Sequence, residues 1–168
     1  MLKLNDIRFS IENKTILDGI SVNFEPGKIH GIIGPNGSGK STMLKNICRI
    51  WEPQTGTIFI NNKDYRTISR KNLSKIVTLV PQHTTVSFPV PVYDIVAMGR
   101  NPHVGRFESL KKTDLEIIDW ALKQTNIYEL KDRNINELSG GESQLSIIAR
   151  ALATEAGLIL LDEPTSEL

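Results

Sequence analysis

Apolar residues recur along the chain with two different periods, and these periods predict where strands and helices lie. Ile20, Val22 and Phe24 alternate with polar residues, which predicts a half-buried strand. Residues 29–33 form a nearly continuous apolar run, which is typical of a strand covered on both faces. After a glycine-rich stretch, apolar residues recur at helical spacing: Met43, Leu44, Ile47, Cys48 and Trp51. A strand, a glycine-rich loop and a helix in this order predict a parallel α/β unit.

The middle of the chain changes character after two further predicted strands, at residues 57–60 and 76–80. Several prolines between residues 81 and 102 make strands improbable in the segment that follows. Thr113-x-x-Glu116 has the pattern of a capping box and predicts the start of a helix. We therefore predict a helical insert over residues 83–135.

The last part of the chain returns to the α/β pattern. Apolar residues at positions i, i+3, i+4 and i+7 predict an amphipathic helix: Leu145, Ile148, Ala149 and Leu152. Residues 158–161 form an apolar run that predicts a buried strand. We therefore predict one α/β domain over residues 1–168, with its core in residues 1–82 and 136–168.

Composition and charge exclude several classes of protein. The 168 residues carry a formal net charge of +1, which argues against a protein that holds nucleic acid by bulk charge. No apolar run approaches the ~18 residues that a membrane-spanning helix needs. Cys48 is the one cysteine, so we expect it to be a small core residue in a reduced, cytosolic protein.

Residues 34–41 carry the first chemical signal. They read Gly34-Pro35-Asn36-Gly37-Ser38-Gly39-Lys40-Ser41 and match the pattern G-x-x-x-x-G-K-[ST] in full. Glycines let backbone N–H groups turn inward around phosphate oxygens, and the following helix adds its partial positive charge. Lys40 would place a full charge against the β- and γ-phosphates, and Ser41 would offer a hydroxyl to Mg²⁺. The predicted strand before this loop and the helix after it favour phosphate binding over an ordinary turn.

Two later segments are compatible with the same chemistry. The predicted strand at 158–161 ends in Asp162 and Glu163. Such an aspartate can hold Mg²⁺ and such a glutamate can act as a base toward water, although many strands simply end in acidic residues at the surface. Ser139-Gly140-Gly141 precedes the predicted amphipathic helix, where it is either a plain helix cap or a second anion site.

Taken together, these motifs resemble the ATP-binding subunits of ABC transporters, and they occur in the order found in that family. They are the phosphate loop, Leu79-Val80-Pro81-Gln82, LSGGE at 138–142 and LLDEPTS at 160–166. The resemblance implies a P-loop nucleotidase core with a mainly parallel sheet. It also implies antiparallel strands at the N-terminus and a helical subdomain at 83–135.

The resemblance further implies roles for individual residues. ATP would lie on the phosphate loop and Thr42. The residues implied for Mg²⁺ are Ser41, Gln82 and Asp162. Those implied for catalysis are Lys40, Gln82 and Glu163. Two copies would close head to tail around two ATP molecules, so that one copy contacts the γ-phosphate held by the other through Ser139, Gly140 and Gly141.

Residues 91–103 narrow the resemblance, because PVYDIVAMGRNPH is similar to a stretch in importers of iron–siderophore complexes, haem and cobalamin. The subunit would then be cytoplasmic and would bind permease subunits at the inner face of the cell membrane. An external substrate-binding protein would act indirectly, as a further partner. A metal would belong to the cargo, because His30, His83 and His103 have no metal-ligand spacing.

The sequence departs from the family in two places. Ile11 stands, by spacing, where the family usually has an aromatic residue that stacks on adenine. Isoleucine can still cover the ring, whereas Phe9 alternates toward the core. The chain also ends at Leu168, shortly after Glu163, whereas the family continues with more strands and a histidine at the γ-phosphate. We therefore expect the C-terminal part of the domain to be missing and this chain to bind ATP better than it hydrolyses it.

Two alternatives compete with a transport ATPase. The short C-terminus also fits a catalytically impaired ATP-binding fragment. The second alternative is a non-transport ABC ATPase of the DNA-repair or chromosome-condensation kind. Such proteins carry a long coiled coil between the phosphate loop and Ser139, and this chain has no sustained heptads there.

Overall fold

An antiparallel sheet dominates the first of two units into which the chain divides, Met1–Leu73. The computed structural model describes residues 2–82, 84 and 86–163. The elements of the first unit are β1 (Leu2–Ile11), β2 (Lys14–Phe24), α1 (Lys40–Ile47), β3 (Thr55–Ile60) and β4 (Lys63–Asp64). The sheet order is β2-β1-β3-β4, and every neighbouring pair is antiparallel. The antiparallel N-terminal strands expected from the resemblance are therefore confirmed.

A bulge in β1 explains why its buried positions change parity. Leu4 is fully buried, but beyond it the buried residues are Ile7 and Phe9. Asp6 lies between Leu4 and Ile7 with φ +45°, and the register with β2 shifts there. One extra residue moves the following side chains to the opposite face of the strand. In β3, Gly56 has φ +88°, and a Cβ there would lie 2.4 Å from the Asp6 carbonyl oxygen, so the bulge requires glycine.

The prediction of a strand at residues 29–33 is wrong. Ile29 and Ile33 are fully exposed, with relative accessibilities of 102% and 98%. Among the described residues, no strand pairs with this segment. A strand is held by backbone hydrogen bonds to a neighbour, so an apolar run without one does not form a strand.

The predicted helix after the glycine-rich loop is confirmed but ends earlier than its apolar pattern indicates. Helix α1 ends at Ile47, and Arg49 has a left-handed φ of +57°. Trp51 therefore lies beyond the helix, where its ring stacks on Phe9 with a centroid distance of 5.5 Å. Burial raises the pKa of the Cys48 thiol to about 12, which keeps it protonated and unreactive.

The second unit, Ser74–Leu168, joins a parallel strand pair to a group of helices. Its elements are β5 (Val77–Val80), α3 (Val92–Ala97), α4 (Lys112–Gln124), α5 (Gly140–Ala153) and β6 (Leu158–Leu161). The short helix α2 (Arg70–Ser74) spans the boundary between the two units in the sequence. β5 and β6 are parallel, with Val77 opposite Leu158. None of the helices that the structure describes is long and apolar enough to cross a membrane.

Helix α5 is central to the second unit because it is buried on more than one side. Ala149 packs in a cluster with residues of α3 and α4, whereas Ile147 and Ala151 pack in another with Val80 of β5. The predicted helix is confirmed, but its apolar stripe is only partly the buried face. Leu145, Ile148 and Leu152 are half-buried.

The capping box predicted at Thr113 and Glu116 is wrong, because α4 begins at Lys112. The carboxylate of Asp114 reaches back instead and accepts the N–H of Lys111 at 2.9 Å. Its other oxygen accepts a hydrogen bond from Nε of Arg100, also at 2.9 Å. These hydrogen bonds, the one from Lys111 first, lower the pKa of Asp114.

Candidate functional site

The phosphate loop at residues 34–41 leads directly into α1. Gly37 and Gly39 have φ angles of +81° and +93°, which favour glycine strongly. Gly39 is also the N-cap of α1, and a Cβ there would lie 2.8 Å from Cδ2 of Leu17. The glycines predicted to shape this loop are thus required by its backbone. They leave the N-terminus of α1 without a side-chain cap.

Lys40 is folded back over its own loop. Its Nζ donates to the carbonyl oxygen of Gly34 at 2.9 Å and to that of Pro35 at 3.2 Å. Ser38 closes the turn by donating its N–H to the Pro35 carbonyl oxygen at 3.2 Å. The lysine charge therefore lies at the loop, as the motif predicts. Phosphate oxygens would compete for it with these two carbonyl oxygens, among its other contacts.

A cleft of about 470 Å³ lies beside this loop within the first unit. Loop residues line it together with apolar side chains of β2, including Ile20, Val22 and Phe24. The loop residues that line it are Gly34, Pro35, Ser38, Gly39 and Lys40. Its volume falls in the range of small-molecule sites.

Ile11, Asn36, Ser41 and Thr42 complete the predicted nucleotide residues of the first unit. Ile11 is the last residue of β1 and is 43% exposed, so its side chain is available to a ligand. Asn36 lies in the turn before Gly37, and Ser41 and Thr42 lie in the first turn of α1. Phe9 is buried, which confirms that it faces the core.

Gln82, Asp162 and Glu163 come together in the second unit, where the parallel strands β5 and β6 end. The N–H of Asp162 donates to the Val80 carbonyl oxygen at 3.0 Å, which continues the strand ladder. Nε2 of Gln82 donates to Oε2 of Glu163 at 2.8 Å. The C-terminal edge of parallel strands is where ligands of α/β folds bind.

Glu163 and Asp162 differ in their surroundings. Asp162 is only 6% exposed, whereas the side chain of Glu163 reaches out to Gln82. Glu163 has φ +47°, a left-handed conformation that non-glycine residues seldom adopt. Such strain is often found at functional positions. Pro164, Thr165 and Ser166 of the LLDEPTS motif, and His83, lie outside the described residues.

Ser139 is the N-cap of α5, as predicted, and Gly140 and Gly141 are the first two helical residues. Glu142, which has no assigned role in the sequence-based predictions, completes a capping box with Ser139. Its Oε2 accepts the Ser139 N–H at 2.9 Å and the Ser139 hydroxyl at 2.7 Å. These two bonds lower the pKa of Glu142. The pattern S-x-x-E before a helix is the signal that reveals this residue.

A buried ion pair lies at the other end of α5. Arg100 is 5% exposed and donates to Asp114, to Glu155 and to the carbonyl oxygen of Ala153. Nearby, Nε2 of His103 lies 2.8 Å from the Thr154 carbonyl oxygen. The helix C-terminus thus meets two basic side chains, which suits its negative end. No local sequence pattern predicts this pairing, because its partners are far apart in the chain.

The family comparison covers most of the chain. The sequence model of the ABC transporter family matches residues 17–166. A probable ABC transporter ATP-binding protein of Cyanophora paradoxa is 43% identical over 165 residues, covering 97% of this chain and 66% of that protein. The iron(3+)-hydroxamate import ATP-binding protein FhuC of Bacillus subtilis is 39% identical over 156 residues, covering 93% of this chain and 58% of that protein.

The structure comparison gives the same fold. An inward-facing structure of a putative metal-chelate type ABC transporter matches 99% of this chain with a TM-score of 0.84 and 35% identity. The match covers 61% of that solved chain. The chain therefore spans roughly three fifths of the length of these three proteins.

Proposed function

Because this chain belongs to the ABC transporter family, we propose that it is an ATP-binding subunit that couples ATP binding and hydrolysis to transport through a membrane permease. The observation that carries the proposal is the presence of two sets of residues suited to one reaction. A phosphate loop with its lysine precedes α1. A glutamine and two acidic residues gather where β5 and β6 end.

In this proposal the first unit binds the nucleotide. The N–H groups of the glycine loop and the start of α1 surround the phosphates, and Lys40 exchanges its two carbonyl partners for phosphate oxygens. Ile11 covers the adenine ring with an apolar surface, since its side chain is exposed. The binding energy comes mainly from the phosphates because charge-assisted hydrogen bonds are the strong ones.

The second unit supplies the groups for hydrolysis. Oxygen ligands suit Mg²⁺, and this unit offers the Gln82 amide oxygen and the Asp162 carboxylate. The Ser41 hydroxyl of the first unit is the further ligand that the phosphate-loop motif implies. When bound, Mg²⁺ would neutralise charge on the β- and γ-phosphates. Glu163 would accept a proton from the attacking water, and Gln82, which already donates to it at 2.8 Å, would orient that carboxylate.

A second copy of the chain would complete each site. Ser139 and Gly140 are exposed at the start of α5, where N–H groups and the helix dipole favour an anion. We propose that these residues and Gly141 contact the γ-phosphate on the partner's loop. Closure of the two copies would then depend on ATP and would drive the permease between two states.

The proposed cargo is an iron–siderophore complex, with haem or cobalamin as the other members of the class. Support comes from the segment 91–103 and from the relative named for iron(3+)-hydroxamate import. The subunit would then lie in the cytoplasm on its permease, with an external binding protein delivering cargo. Co-purification with a permease, and ATP turnover stimulated by that permease and a ferric hydroxamate, would support this assignment.

Hydrolysis is tested by Glu163→Gln, with Glu129→Gln as a control at an exposed position. We expect the first variant to lose about a hundredfold or more in turnover, because general-base catalysis contributes about 10²–10⁴-fold. The second should match the wild type. Equal turnover in Glu163→Gln and the wild type would contradict the role of Glu163. ATP binding without turnover in the wild type, even with a permease, would favour an impaired ATP-binding protein.

A further inference from the structure

The carboxylate of Glu142 places a negative charge at the N-terminus of α5. A capping box needs two hydrogen bonds, from the Ser139 N–H to the glutamate and from the Glu142 N–H to the serine oxygen. These are present at 2.9 and 3.3 Å. A third bond joins the Ser139 hydroxyl to Oε2 of Glu142 at 2.7 Å. The carboxylate thus holds both the amide and the hydroxyl of Ser139.

The third bond uses the single proton that the serine hydroxyl can donate. An ionised carboxylate only accepts hydrogen bonds, so the hydroxyl must be the donor in the 2.7 Å contact. The two hydrogen bonds from Ser139 lower the pKa of Glu142, and the charge of Arg133 adds to that effect. The carboxylate is therefore ionised at neutral pH. Ser139 cannot give the same proton to a phosphate until Glu142 releases it.

Charge adds to this competition. The start of a helix attracts one anion through its partial positive charge, and Glu142 already supplies that anion. A γ-phosphate that approaches Ser139 would bring further negative charge beside the carboxylate. Two like charges at one site repel each other, most strongly once water has been excluded.

We propose that Glu142 is a positioning residue that competes with the γ-phosphate for Ser139 and so sets how much ATP is needed for two copies to close. The idea rests on the proposed function, in which Ser139 contacts a phosphate held by a second copy. Glutamine at position 142 would keep the backbone cap through its amide oxygen but would remove the charge. The carboxylate therefore raises the ATP concentration needed for closure above the concentration that an uncharged cap would require.

The test compares Glu142→Gln with the wild type in the full chain, using the β,γ-imido analogue of ATP with Mg²⁺. Sedimentation velocity measures the analogue concentration at which half of the protein is dimeric. We expect the Gln variant to need about tenfold less analogue, which corresponds to 1.4 kcal/mol. The difference should shrink as salt rises toward ~1 M, where the Debye length is about 3 Å.

Three further variants separate the possible results. Glu116→Gln removes an exposed charge from α4 and should behave as the wild type. Glu142→Ala removes charge and cap together, and its smaller gain would separate the two effects. Unchanged or weaker dimerisation of Glu142→Gln, while Ser139→Ala abolishes it, would overturn this inference alone. Dimerisation that is absent in the wild type or indifferent to Ser139→Ala would overturn the proposed function, and the inference with it.

Discussion

Two helices in this protein begin at segments that resemble anion sites, and their N-termini are built in opposite ways. Helix α1 follows Gly39, which has no side chain, and its first turn contains Lys40 but no acidic residue. Helix α5 follows Ser139, and its first turn contains Glu142, whose carboxylate accepts a hydrogen bond from the hydroxyl of that serine. The N-cap and first turn of α1 supply no acidic side chain, whereas the first turn of α5 supplies one. Anion binding at the start of α1 should therefore be strong. Anion binding at the start of α5 should require Glu142 to release Ser139.

The largest expected effect concerns how α5 is held at its other end. Arg100→Ala should lower the free energy of unfolding by about 3–5 kcal/mol, because breaking a buried ion pair leaves Asp114 without its cation. Urea denaturation measures this change in the free energy of unfolding. Arg66→Ala, which breaks an exposed pair with Asp64 in the first unit, should cost about 1 kcal/mol or less. Equal losses in the two variants would mean that Arg100 does not anchor α5.

The next effect concerns the start of α1, whose first turn has no acidic side chain. Lys40→Ala should weaken ATP binding by about a hundredfold, since a hydrogen bond to a charged group contributes about 1.5–3 kcal/mol. Calorimetric titration with Mg·ATP measures the dissociation constant. Lys45→Ala is the matched control, because Lys45 lies in the last turn of the same helix over the Trp51 ring. A change of less than about threefold in Lys40→Ala would remove this lysine from the site.

A smaller effect is expected where the nucleotide base would lie. Ile11→Tyr should tighten ATP binding by several-fold, because aromatic stacking adds about 0.5–1.5 kcal/mol beyond area burial. Ile50→Tyr places the same ring at another exposed isoleucine of the first unit and should change nothing. The same titration measures both variants. Unchanged or weaker binding in Ile11→Tyr would show that Ile11 does not cover the adenine.

The smallest effect is a pH dependence that the Glu142 cap should give to α5 and that α1, which has no such cap, should lack. The pKa of Glu142 is lowered from 4.5 in the folded protein, so its ionised form stabilises the fold above that pH. This stability is lost as the pH falls through the lower folded pKa. Glu142→Gln should be less stable than the wild type at pH 7 and should converge with it in acid. Denaturant unfolding across pH measures the difference, and parallel pH curves would contradict the bond to Ser139.

The same contrast explains how much of this protein its sequence predicts. The glycine loop, α1 and the Ser139 cap depend on neighbouring residues, so local patterns predict them, and the structure contains each of them. The apolar run at 29–33 predicts a strand and forms none, because strand pairing depends on a partner that the local sequence does not specify. The box at Thr113 failed for a similar reason, since Asp114 is fixed by Arg100 as well as by its own helix. Local chemistry is readable from the sequence, whereas long-range partners are not.

The central proposal is that the phosphate loop of one copy and Ser139 of another form one site. Mixing the Lys40→Ala chain with the Ser139→Ala chain tests this directly. In a mixed dimer one site carries both substitutions, whereas the other site combines an unchanged loop with an unchanged Ser139. We predict that neither variant alone dimerises with Mg²⁺ and the β,γ-imido analogue of ATP, and that the mixture does, as measured by sedimentation velocity. A mixture that dimerises no better than its components would contradict the account.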